Sequence, residues 1–416
     1  MTVSLDGIKK AQQRTLDYIL KTPLMESMAF AKFLGHRAPV YFKVDTLQHT
    51  GSFKVRGAAN KILSLIEKGE KPSRVVASSA GNHAQAVAYV CSRVGIPATI
   101  VMPEGATLIK VSSTASFGAE VILHGLIYDD AYARAKEILS KTPGSVFVHP
   151  YEDVEIMNGQ GTLGLEVHEQ LLEMGVKEGD LQVVIPIGGG GLFSGAATAL
   201  KTLRPNTKVW GVVPSQAPGM SHSFKSKKVE NYPVKGFTLA DGLAVKTISP
   251  LSLGYITQLA EDVVTVDENE IARAISTLME SRKLLVEGAG AAGVAAVLGG
   301  KIPLDPDKPL LFVLCGGNID LNKISHIIER GLFQSRRWMR LRFMVDDKPG
   351  ELAKITQKLA ELRANVMDVF HNRMVTACPV GQTQIDIVLE TKGTQHAAEL
   401  FRNLKAQYSS LEVLEQ

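Results

Sequence analysis

The sequence predicts an α/β protein with mainly parallel sheets covered by helices on both faces, followed by a smaller ferredoxin-like module. Two observations predict it. Over the first 330 residues, short apolar runs alternate with longer segments of helical period, the repetition that parallel crossover connections require. After about residue 335 the order becomes strand, helix, strand, strand, helix, strand within about 80 residues.

In the first region, strands are expected over 40–44, 74–77, 98–102, 120–123 and 146–148, then over 182–187, 208–213 and 310–314. Helices are expected over 57–68, 82–94, 128–140, 161–174 and 192–203. In sheets of this kind, ligands bind where loops leave the carboxyl ends of the strands. The polar joint Ser335-Arg336-Arg337 opens the tail, and the alternating strand Leu341-Arg342-Phe343-Met344-Val345 follows. Asp347-Lys348-Pro349-Gly350 turns the chain into a helix over 351–362. Strands over 365–370 and 384–389, a helix over 394–404 and a strand over 411–414 complete the βαββαβ order. One sheet face of such a module is left open and commonly pairs, so a homo-oligomer, dimer or tetramer, is expected. The expected division is 1–334, with a smaller subdomain at about 48–147 inserted in a larger one, and 335–416.

Composition narrows the function classes. The 416 residues are 45% hydrophobic and 21% charged, as in soluble globular enzymes. The net charge of +4 is small and dispersed, and Lys225-Ser226-Lys227-Lys228 lacks the interleaved aromatics of a single-strand binding face. No nucleic-acid partner is expected. Cys91, Cys315 and Cys378 show no CxxC or Cys/His spacing, which argues against structural zinc or a disulfide framework and fits a reducing compartment. No secretory signal is visible at the amino terminus. The low-polarity run 288–300 is too short and too rich in glycine and alanine to span a bilayer. A cytoplasmic location with no membrane association is expected.

Four sites carry chemistry. Lys54 lies in Gly51-Ser52-Phe53-Lys54-Val55-Arg56-Gly57-Ala58, next to an aromatic ring and just before a helical run. A lysine partly desolvated there has a lowered pKa, and its neutral amine can form an imine. Ser78-Ser79-Ala80-Gly81-Asn82-His83 follows a strand and opens a helix, where unpaired amides and the helix dipole suit a carboxylate. A simple N-cap by Ser79 or Asn82 uses the same geometry. Gly188-Gly189-Gly190-Gly191 stands between a strand and a helix beginning at Leu192, and successive glycine amides form a nest for phosphate. It lacks the Gly-Lys-Ser/Thr of a Walker loop and is not a GxGxxG turn. Cys315 closes the strand over 310–314; it is either a small apolar filler or a thiol on the active edge of the sheet. Lysine, aromatic ring, polar turn and glycine nest together suit a phosphorylated aldehyde cofactor.

On these residues the first 330 positions resemble the fold-type II pyridoxal-phosphate enzymes, and among them the threonine/serine dehydratases. The matching stretches include Ser52 to Ala58, Ser79 to Gln85, Gly159-Gln160-Gly161-Thr162, the tetraglycine turn, Ala240-Asp241-Gly242 and Gly316-Gly317-Asn318. The resemblance implies that pyridoxal 5'-phosphate is bound, that Lys54 carries the Schiff base and that Phe53 packs on the ring. It implies further that Asn82 contacts the ring hydroxyl, Gly188 to Leu192 the phosphate, and Cys315 the ring nitrogen, with Glu287 nearby. Ser79, Ala80, Gly81, Asn82 and His83 would receive the substrate carboxylate. The freed Lys54 would remove the α-proton, and loss of the β-hydroxyl followed by hydrolysis would yield a 2-oxo acid and ammonia. Threonine would give 2-oxobutanoate and serine pyruvate. A neutral thiol at the ring nitrogen favours prompt β-elimination over a long-lived carbanion. Residues 338–416 resemble an ACT domain, a module that binds amino-acid effectors, through Asp347-Lys348-Pro349-Gly350-Glu351-Leu352.

Two departures separate the chain from the related serine racemases. Alanine at position 80 stands where a proton-carrying serine is usual there, which favours elimination over racemisation. Val213 precedes Pro214 where those racemases place a cation-binding glutamate, so no metal is expected. Racemisation and β-replacement are the alternatives within the same fold. An amino-acid sensor with a vestigial catalytic half is the alternative from another class.

Overall fold

A computed structural model describes residues 2–176, 179–373 and 378–414. The chain forms two compact units, Met1–Ile319 and Asp320–Gln416. In the first, a six-stranded sheet runs in the order Leu24–Glu26, Val40–Val44, Leu310–Leu314, Gln182–Pro186, Lys208–Pro214 and Asp262–Val266. The first pair is antiparallel and the other four are parallel. Val40–Val44, Gln182–Pro186 and Leu310–Leu314 are buried along their whole length, as strands covered on both faces must be. A second, wholly parallel sheet is ordered Glu120–Leu123, Ala98–Met102, Arg74–Ser78 and Ser145–Phe147. All of it comes from one continuous stretch of chain. This is the expected α/β architecture with two parallel-rich sheets.

Helix boundaries differ where glycines suggest breaks. The helix expected over 161–174 is Val154–Glu173, begun by Asp153, whose side chain accepts from the Glu155 and Ile156 amides. Its glycines are packing contacts and not terminators. A methyl group on Gly159 would meet Arg56 O at 2.5 Å, and one on Gly164 would meet Ala196 O at 2.7 Å. The neighbouring helices Lys54–Glu67 and Gly191–Leu203 therefore approach to backbone contact. The first of these starts three residues earlier than the periodicity suggests, which makes Lys54 its first helical residue. The low-polarity run beginning at 288 forms the buried helix Gly288–Leu298.

The second unit holds the helix Leu321–Gln334 and then the βαββαβ order: Trp338–Asp346, Glu351–Glu361, Asn365–Asn372, Gln382–Glu390, Thr394–Gln407 and Glu412–Leu414. Its sheet order is Asn365–Asn372, Gln382–Glu390, Trp338–Asp346, Glu412–Leu414, antiparallel throughout. This is the ferredoxin-like arrangement. Leu341, Phe343 and Val345 join Ile355, Leu359, Ile387 and Leu400 in a core of its own. The joint at Ser335 to Arg337 lies inside this unit, with Arg336 in the left-handed region at φ 55°. On the face opposite the core, Arg342 holds the buried Asp386 through two bonds of 2.8 and 2.9 Å.

Candidate active site

Several strand ends meet at one cleft of about 720 Å³, and every residue expected in the site lines it. Lys54 reaches it from the first turn of its helix. The approach to that turn is tied to the end of strand Leu310–Leu314: Phe53 N donates to Cys315 O at 2.9 Å, Gly317 N donates to Gly51 O at 2.9 Å, and Ser52 bridges to Gly316. Lys54 Nζ donates to Pro150 O at 2.9 Å and stands 5.2 Å from the centre of the Phe53 ring. Burial lowers the pKa of the Lys54 ammonium to about 8. The neutral amine needed for imine formation is thus available well below the ordinary lysine range.

Strand Arg74–Ser78 delivers the polar turn. Gly81, not Ser79 or Asn82, occupies the N-cap of helix Asn82–Val94, and no side chain caps it. Ser79 Oγ accepts instead from Gly81 N at 3.2 Å, and Asn82 Nδ2 donates to Glu287 Oε1 at 2.7 Å. The capping alternative is therefore replaced by a first turn that lines the cleft, the geometry an anion requires. His83 Nε2 donates to Val148 O at 2.9 Å. Burial and the Lys54 charge lower its pKa to about 3, so the ring is neutral. His149, lowered to about 4 chiefly by burial, accepts at Nδ1 from the Glu152 amide at 2.8 Å.

The glycine turn follows strand Gln182–Pro186, and Gly190 at φ 90° is the N-cap of helix Gly191–Leu203. Side chains are excluded here. A methyl group on Gly188 would meet Gly242 O at 2.8 Å, one on Gly190 would meet Ser252 Cβ at 2.6 Å, and one on Gly189 would overlap the Tyr151 ring. Bare amides at a helix N-terminus form the cradle a phosphate needs. Ser78 Oγ and Gln160 Oε1, buried in the wall of the same cleft, have no hydrogen-bond partner. Such orphaned polar atoms mark a site shaped for a polar ligand. Cys315 is buried, and burial together with the Glu287 charge pushes its thiol well above the ordinary range, so the group is neutral. Lysine, cradle, neutral thiol and orphaned polar atoms all fit pyridoxal phosphate.

Sequence reasoning missed several groups. Tyr151 closes over the glycine turn, and its hydroxyl donates to Thr247 O at 3.3 Å. The ion pairs Lys110–Asp241 and Lys246–Asp129, at 2.9 and 3.1 Å, join cleft-lining residues more than 100 positions apart in the chain. Nothing local distinguishes these lysines from ordinary surface charges. Among the described residues, no group of three or more His, Cys, Asp or Glu could hold a metal ion, and no helix is long and apolar enough to cross a membrane.

A half-buried lysine and a bare glycine turn lining one cleft at parallel-strand ends fit a pyridoxal-phosphate enzyme of the α/β type. Residues 15–316 match the family of pyridoxal-phosphate dependent enzymes, and the chain belongs to that family. It is 44% identical over 404 residues to an L-threonine ammonia-lyase of Thermotoga maritima, covering 97% of this chain and 98% of that protein. The solved processed form of threonine deaminase isoform 2 from Solanum lycopersicum superposes with a TM-score of 0.69 at 30% identity, covering 78% of this chain and 88% of the other. Maize serine racemase gives 0.72 at 31%, covering 81% and 100%.

The pKa of Glu287 makes stability depend on pH. Burial, reinforced by Asp241, raises its carboxyl to about 8. The folded chain therefore keeps a proton that the unfolded chain loses from about pH 4.5 upward. The associated stability is present in full at low pH and is lost as pH rises through about 8. Glu287→Gln keeps an oxygen to accept from Asn82 and carries no titrating proton. The cofactor-free variant is expected to melt above wild type at pH 9, with the difference closing toward pH 5. A difference independent of pH would contradict the burial argument.

Proposed function

We propose that this chain converts L-threonine to 2-oxobutanoate and ammonia, with L-serine deaminated to pyruvate as a side reaction. The observation that carries the reading is the half-buried Lys54 amine, its pKa lowered to about 8, in the cleft that holds the glycine turn. The bound cofactor supplies an electrophilic carbon and an electron-withdrawing ring. The chain's residues do the rest. Gly188 to Leu192 would hold the phosphate, and the turn from Ser79 to His83 the substrate carboxylate. Phe53 would pack on the ring, Asn82 would offer an N–H to its hydroxyl, and the Cys315 thiol would serve its nitrogen as a neutral donor. Lys54, as a neutral amine, would take the α-proton. The β-hydroxyl leaves with a proton as water, and water returned during hydrolysis balances the release of ammonia. The 44% identity to an L-threonine ammonia-lyase supports the choice of threonine. Steady-state release of 2-oxo acid from threonine against serine is the test, and no turnover of threonine would overturn the assignment.

Racemisation is the competing reading within the fold. Ala80 lies in the turn that lines the cleft and offers only a methyl group. Wild type should deaminate serine without racemising it, whereas Ala80→Ser should retain dehydration and add measurable racemisation. Chiral chromatography of recovered serine decides, and equal racemisation by both proteins would refute the role of position 80.

The ferredoxin-like tail is an ACT domain that binds an amino-acid effector, and the enzyme is a cytoplasmic homo-oligomer. Its separate core and its topology support this reading. An effector alters catalysis only by favouring one arrangement of the protein over another. A chain ended after Ile319, at the boundary of the first compact unit, should retain turnover and lose any response to amino acids. Saturation curves for both proteins against an amino-acid panel, with sedimentation for oligomer size, provide the check. An undiminished response in the shortened chain would overturn the regulatory role.

A further inference from the structure

A chain of amides lines the cleft and has one polarity. Asn318 Nδ2 donates to Thr50 O at 2.8 Å and to Asn82 Oδ1 at 2.8 Å. Asn82 Nδ2 in turn donates to Glu287 Oε1 at 2.7 Å. The backbone carbonyl of Thr50 can only accept, so the nitrogen end of Asn318 must face it. The other end is fitted too: Asn318 Oδ1 lies against Gly51, where a methyl group would overlap it. With Asn318 fixed, its second N–H forces Asn82 to present oxygen on that side and nitrogen on the other.

We propose that Asn318 is a positioning residue that fixes the amide of Asn82, so that Asn82 offers an N–H, and never its oxygen, to the ring hydroxyl of the bound cofactor. This deepens the function proposed above and rests on it. The Asn82 nitrogen carries two hydrogens. One is taken by Glu287, and the second remains for the cofactor. Glu287 cannot set this orientation by itself. Burial raises its carboxyl to about 8, among Lys54, Lys110, Asp241 and Cys315, so below that pH it can donate as readily as accept. A flipped Asn82 would still be hydrogen-bonded to it. The Thr50 carbonyl, acting through Asn318, removes that ambiguity. An N–H directed at the ring oxygen favours the oxygen's anionic form, whereas an amide oxygen turned toward it would oppose that form.

The test uses the full-length holoenzyme as wild type, Asn318→Ala and Asn318→Asp, each with and without Asn82→Ala. Two quantities are read: the pH midpoint of the bound cofactor's visible absorbance, and cofactor affinity by equilibrium dialysis. Asn318→Ala, which frees the Asn82 rotor, should raise the midpoint by about one unit and weaken affinity about tenfold. Asn318→Asp, which accepts but cannot donate, should act more strongly. In the Asn82→Ala background neither substitution should move the midpoint further, because the amide they orient is gone. Midpoints and affinities unchanged in the single variants overturn the proposal, and so do equal shifts in both backgrounds, which would indicate general loosening. Should Asn318→Asp not fold, Asn318→Ala carries the same comparison. A wild-type chain that takes up no cofactor overturns the function and this proposal together; normal loading in wild type and variants alike overturns this proposal alone.

Discussion

Lys54→Ala is expected to abolish 2-oxo acid release from threonine, by about 10³-fold or more, and to remove the visible absorbance of the bound cofactor. The fold should survive. Among the described residues, Lys54 is one of three lysines lining the cleft, and the other two, Lys110 and Lys246, are engaged by Asp241 and Asp129. Only Lys54 combines a pKa lowered to about 8 by burial with a place beside Phe53 and the carbonyl of Pro150. Alanine removes a group whose charged form is disfavoured by burial, so stability should not fall. The pH dependence has a definite sign: capture of cofactor by the wild-type apoprotein should accelerate as pH rises through about 8, as the amine loses its proton. Circular dichroism, absorbance and 2-oxo acid release together make the check. Turnover within about tenfold of wild type in the variant would remove Lys54 from the chemistry.

The elements around this site were legible in the sequence because their signals are local. The strands Val40–Val44, Ala98–Met102, Glu120–Leu123 and Leu310–Leu314 and the helix Asn82–Val94 fall where apolar runs and helical period put them. So does the glycine turn, since four successive glycines between a strand and a helix have few other uses. What was not legible depends on partners distant in the chain. Helix Val154–Glu173 carries glycines that resemble breaks until the helices bearing Arg56 and Ala196 are packed against them. Glu287 and Asn82 are 205 positions apart, and Asn318 and Asn82 are 236 apart. A raised carboxyl pKa or an oriented amide arises only once such groups share one buried space. Lys43 shows the same limit, because a lysine inside an apolar run suggests an edge or a surface until its partners are known.

Those partners underlie the second large effect, the loss of stability expected for Arg56→Met. Arg56, two residues beyond Lys54, is fully buried. Its guanidinium donates to Asp45 at 2.7 and 2.9 Å, to Glu166 at 2.6 and 2.9 Å and to Thr162 at 3.1 Å. Lys43, also buried, donates to Glu166 at 2.6 Å, to Thr22 O at 2.7 Å and to Gln170 at 3.0 Å. Two cations thus balance two carboxylates in a space closed to water, and they join strand Val40–Val44 to the helices Lys54–Glu67 and Val154–Glu173. Methionine matches the stem of arginine but leaves two buried carboxylates facing one ammonium. Breaking a buried pair from one side costs about 3–5 kcal/mol, because the remaining charge stays desolvated. The effect should depend on pH. Burial alone would raise the Asp45 carboxyl, but the Arg56 guanidinium outweighs it and holds that carboxyl below its ordinary value. Without the guanidinium, burial prevails, the folded-state pKa lies above the unfolded one, and stability is lost as pH rises through it. Differential scanning calorimetry should therefore find Arg56→Met further below wild type at pH 7.5 than at pH 4.5. Adding Asp45→Asn restores the balance of charge, so the double variant should melt above Arg56→Met alone at pH 7.5. If the second substitution instead adds its own full loss, the network holds the chain by packing and not by charge pairing.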